Sequence, residues 1–129
     1  MRVRVADMLS RDNPLEAIEH FFSSAYESVP AKDLLGCFLT NTVLDSCVHS
    51  DKVSNVVKHG FGKIESGFKE QLMVALERSE LSVNREPKTT AIYLLACFQG
   101  LMINSRLTKN KKRLRTITGQ TMLTLGASI

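Results

Sequence analysis

The decapeptide GCFLTNTVLD, Gly36 to Asp45, sets three consecutive polar residues, Thr40, Asn41 and Thr42, into an otherwise apolar run. A threonine within a helix can satisfy its hydroxyl on the carbonyl one turn earlier. Asparagine carries two donors and an acceptor, so Asn41 calls for a neighbouring helix, a water or a ligand. A few polar groups on apolar walls are what orient a small molecule in a pocket. Tyr26, Phe38, Phe61, Tyr93, Gln99 and Asn104 are companions of the right type for such a site. On these residues alone, a self-satisfied core helix and a ligand contact stay level.

Cys37 opens a second possibility, because a thiol at a helix start can have a lowered pKa and sense an electrophile or oxidant. A buried, inert thiol is the commoner case. Together with Cys47 and Cys97 it forms an odd set without a CxxC pair, so neither a disulfide framework nor a zinc knuckle is indicated. Asp45 and His49 stand four apart and can share a helix face, but a metal site needs further ligands that the spacing does not supply. His20 and His59 are far from them in sequence. Nothing presents a nucleophile elbow, a Walker loop or a glycine-rich phosphate loop. No catalytic residue, metal ligand or cofactor is therefore assigned, and the chain is expected not to be an enzyme.

The elements that must position these residues read as helices. At 129 residues and 43% hydrophobic, the chain suits one domain with a core. Apolar residues recur at helical spacing nearly throughout, and no sustained alternation marks a sheet. The expected fold is all-α, an antiparallel bundle of five to six helices. Residues 1–12 read as the tail of a helix, through Val5, Met8 and Leu9, and residues 13–129 as the domain proper. Asn13, Pro14 and Glu16 are a helix start, followed by a stripe of Leu15, Ile18, Phe22, Ala25 and Val29 that Pro30 ends. A helix from about Lys32 to Val48 is apolar on most sides and is expected at the centre of the bundle. A long helix from Ser50 or Asp51 to about Glu80 carries Val53, Val57, Phe61, Ile64, Phe68, Leu72 and Leu76 on one face.

Pro87 opens the next helix, to about Leu107, which is apolar nearly all round and so exceeds what a single small domain can bury. The last helix starts near Lys111 and carries Gly119, Gly126 and Ala127, which permit close helix approach. These two helices are expected to pair with their copies in a twofold four-helix interface, through Leu95, Phe98, Met102, Leu114, Ile117, Thr121, Met122 and Leu125. The most apolar run, residues 91–103, contains Gln99 and Gly100 and is too short to span a membrane. The N-terminal MRVRVADMLSRD is charged and lacks an apolar signal core, so a cytoplasmic location is expected.

Charge is uneven: residues 1–86 hold ten Lys/Arg against thirteen Asp/Glu, while residues 87–129 hold seven Lys/Arg and no acid. Five of the seven lie in KNKKRLR, Lys109 to Arg115. With no aromatic interleaved for base stacking, a solvated turn is preferred to a nucleic-acid contact.

GCFLTNTVLD, then DKVSNVVKHGFGKIESGFKEQLMVALERSEL and AIYLLACFQGLMINSRL, resemble the C-terminal regulatory domain of TetR/AcrR-type transcriptional regulators across about residues 14–127. The resemblance implies an all-α ligand-binding and dimerisation domain, the effector domain of a repressor, with residues 1–12 as the remnant of its connecting helix and a small apolar or amphipathic ligand held among the central helices. It places GCFLTNTVLD beside that pocket and tilts Asn41 toward ligand contact, with Tyr26, Cys37, Phe38, Phe61, Tyr93 and Gln99 as further candidates. Family members read DNA with an N-terminal helix-turn-helix, for which this sequence has no matching positions. DNA binding is therefore not expected of these residues. The alternative is a stand-alone dimerising protein that sequesters a full-length regulator.

Overall fold

The computed structural model describes residues 2–45, 51–82 and 84–126, without the side chains of Arg2, Val3, Phe38, Leu44 and Asp45. All regular structure among them is helical, with six α-helices and a short 3-10 turn at Ala31–Asp33. The first helix, α1 (Arg2–Ser10), is tied into the body. Its Met8 is buried, Gln71 donates to the Met8 carbonyl, and Arg78 donates to the Asp12 carbonyl at 2.6 Å.

Helix α2 (Pro14–Ser23) begins as its residue types predict. The Asn13 side chain accepts the Glu16 N–H at 3.1 Å, and Pro14 occupies the first turn, where a missing N–H costs nothing. Its end corrects the sequence expectation, which ran the helix to Pro30. Arg4 Nη2 donates to the Phe21 carbonyl and to Ser24 Oγ, so the Ala25 N–H bonds Phe22 instead, at 3.3 Å. The backbone tightens there and turns. The Arg4 guanidinium also lies 4.4 Å from the centre of the Phe21 ring, a cation–π contact that offsets part of its burial.

The helix expected from Lys32 is likewise shorter. The 3-10 turn gives way to an extended stretch, and α3 spans Phe38–Asp45. Gly36 causes the break: its φ of +82° is left-handed, and an added Cβ would sit 3.0 Å from the Met102 carbonyl oxygen. Nor is α3 central, for Leu35 just before it is 69% exposed and Val43 within it 49%.

The scaffold is α4 (Asp51–Glu77), whose 27 residues span about 40 Å. Ile64, Phe68, Leu72 and Ala75 on its inner face are fully buried, and Gly67 lets the Met8 side chain of α1 come close. It packs most extensively on α5 (Pro87–Thr108). Phe21 and Phe22 of α2 meet Phe68 and Phe98 in a four-ring cluster with centroids 5.1 to 5.7 Å apart, two of the pairs edge-on.

Lys109, at φ +50°, ends α5, and the Asn110 side chain caps α6 (Lys111–Thr124) by accepting the Arg113 N–H. The basic turn folds back on its own chain. Lys109 donates to the Leu34 carbonyl, Lys111 to the Glu27 carbonyl, Arg113 to Asn104 Oδ1, and Arg115 forms a bidentate pair with Glu27 at 2.7 and 2.8 Å.

Candidate functional site

Three helices form a partly open cavity of about 180 Å³ lined by Thr40 and Val43 of α3, Phe61 of α4, and Gln99 and Ile103 of α5. Each helix contributes for a local reason. Thr40 and Val43 are one turn apart, as are Gln99 and Ile103, so each pair shares a face. Phe61 continues the buried stripe of α4 toward its N-terminal half.

Thr40 is the unusual member. It is 4% exposed, and its hydroxyl is buried without a hydrogen-bond partner. Thr108, Thr116, Thr118 and Thr121 each donate to the carbonyl one turn earlier, at 2.8 to 3.0 Å. For Thr40 that carbonyl would be Gly36's, and Gly36 is left-handed and outside the helix. The fold thus denies Thr40 the back-bond that satisfies the others. The Gln99 side-chain amide also has no partner among the described residues. Apolar walls, the Thr40 hydroxyl, the Gln99 amide and, among the described residues, no charged lining side chain are what this cavity offers.

Of the candidates read from the sequence, Phe61 and Gln99 come together here. Asn41 does not line the cavity: its Nδ2 donates to the Leu35 carbonyl at 2.6 Å and its Oδ1 accepts from Arg106 at 3.4 Å, so it fastens the start of α3 to α5. Tyr26 is 1% exposed and bonds Thr118 Oγ1 at 2.9 Å in the core, where burial pushes its phenol pKa up. Cys37 is buried just ahead of α3. Tyr93 is 48% exposed, and the neighbouring Cys97 raises its phenol pKa while Thr124 opposes the shift. Asn104 donates to the Gly100 carbonyl. The Phe38 side chain, the Asp45–His49 pair and Cys47 lie outside the described residues. Val43 and Ile103 were not singled out in the sequence, although their spacing from Thr40 and Gln99 could have found them.

The residues expected at a dimer interface sit mostly inward. Phe98, Met102, Leu114, Thr121, Met122 and Leu125 are buried in the chain's own core, and Leu95 and Ile117 pack against it. An inward side chain cannot also be the surface a second copy covers. The outward apolar residues of the two helices are Ile92, Tyr93 and Leu107 on α5 and Leu123 on α6. Gly100 and Gly119 face open space beside them.

A larger concavity of about 750 Å³ lies between α1 and α4, lined by Val5, Ala6 and Leu9 below Lys58, His59 and Lys63. It is a surface groove with solvated charges, and it collects none of the candidates. The buried, unpartnered Thr40 hydroxyl favours the smaller site. Among the described residues no cluster of His, Cys, Asp or Glu could hold a metal ion, and no helix is long and apolar enough to cross a membrane.

Among the described residues the chain is an all-α bundle with a small cavity between α3, α4 and α5. The family model described as the tetracyclin repressor-like, C-terminal domain matches residues 14–120, and the chain belongs to that TetR-type family. No curated protein and no solved structure gave a match.

Proposed function

We propose that the chain is the effector-binding and pairing domain of a TetR-type transcriptional regulator, without catalytic activity of its own. The observation that carries the reading is the Thr40 cavity inside a domain of this regulatory family. A small, largely apolar molecule would enter beside Val43, contact Phe61 and Ile103, and bond Thr40 and Gln99. Helix α5 supports a link from cavity to partner: Gln99 and Ile103 line the site, while Ile92, Gly100 and Leu107 belong to its outward face. A ligand that binds one arrangement of α5 better than another shifts the pairing geometry by that difference in affinity.

No DNA contact is assigned to any residue here, because Lys109, Lys111, Arg113 and Arg115 are engaged within the chain. The test is a thermal-shift screen of small molecules on the wild type and on Phe61→Ala. A ligand of the native state must raise the melting temperature. Hits whose shift is lost in Phe61→Ala support the reading, and hits that ignore it refute the site.

A further inference from the structure

Resting on the cavity as the effector site, we infer that it selects a neutral, benzene-sized molecule carrying one hydrogen-bonding group, of the phenol or small cyclic alcohol kind. Size comes first. The cavity holds about 180 Å³, and an engineered apolar cavity of about 150 Å³ is known to bind benzene. The margin admits a single ring with one small substituent.

Polarity comes next. Val43, Phe61 and Ile103 supply apolar contact, Thr40 brings a buried unpartnered hydroxyl from α3, and Gln99 brings a part-exposed amide from α5. A threonine hydroxyl and a glutamine amide can each donate and accept, so a ligand hydroxyl or carbonyl can be matched. Charge is decided by what is missing from the walls. Arg106 bonds Asn41 outside the lining, and among the described residues no Lys, Arg, Asp or Glu lines the cavity. An ion moved from water into such a site would lose its hydration with no partner of opposite charge.

The experiment is a calorimetric titration at pH 7 with phenol, toluene, benzoate and benzylamine, on wild type, Thr40→Val and Gln99→Leu. Thr40→Val keeps the shape and removes the hydroxyl, and Gln99→Leu serves if the first variant fails to fold. The expected result is that phenol binds more tightly than toluene, that the two ions do not bind, and that either variant weakens phenol about three- to tenfold while leaving toluene unchanged. Benzoate or benzylamine binding as tightly as phenol, with sensitivity to Phe61→Ala, would overturn the inferred class and leave the effector site standing. Failure of phenol to bind would also overturn it. The effector-site reading falls separately, if no compound of the broader thermal screen depends on Phe61.

Discussion

At the residue scale the instructive contrast is between Thr40 and Asn41. Amide chemistry singled out Asn41, because an asparagine has more to satisfy than a threonine. The fold satisfies it within the chain, on Leu35 and Arg106, and leaves Thr40 unmatched. That inversion could not be read from residue types. It depends on the backbone at Gly36, one turn before Thr40, and a left-handed glycine is invisible to periodicity. Asn41→Ala should therefore destabilise the domain by about 1 to 2 kcal/mol in urea unfolding, with ligand affinity little changed. Tyr26→Phe should cost only about 1 kcal/mol, because Thr118 keeps its bond to the Leu114 carbonyl. A much larger loss at Tyr26 would mean that the hydroxyl pair supports more of the core than its geometry indicates.

Among the elements, starts were more legible than ends. Asn13, Pro14, Pro87 and Asn110 act through the few residues next to them, so their helices begin where local chemistry dictates. The end of α2 is set by Arg4, twenty residues from Ser24, and no local rule contains that contact. The basic segment was legible as a turn, though its fastening role was not, since Glu27 and Leu34 are distant in sequence. The Arg115 hydrogen bonds hold the Glu27 pKa below the usual carboxylate range. A lowered folded pKa gives stability that is present above the unfolded value and lost as pH falls through the folded one. Glu27→Gln should thus lower stability slightly near neutral pH and flatten its decline on the acid side. The pair is exposed, so the effect should be small and should fade in high salt. An unchanged acid limb would show that the pair contributes nothing.

For the molecule as a whole, the all-α class and the helix order were legible because the apolar spacing is helical nearly everywhere. Which face of α5 and α6 looks outward was not. A helix apolar nearly all round carries no directional signal, and the choice of Phe98 and Met122 as pairing residues took the core for the surface. Phe98→Glu should strongly destabilise the domain, because it removes the ring that packs on Phe21 and Phe22 and buries a charge with only Arg4 close by. Leu107→Glu combined with Leu123→Glu should instead keep the fold and reduce the light-scattering mass from that of two chains to that of one. A doubled mass surviving both changes would place the interface elsewhere. The central claim, that the cavity between α3, α4 and α5 is where a small effector binds, is tested most directly by methyl NMR during a phenol titration. The account predicts shifts at the Val43 and Ile103 methyls, which line the cavity. Shifts confined to Val5 and Leu9, in the groove between α1 and α4, would contradict it.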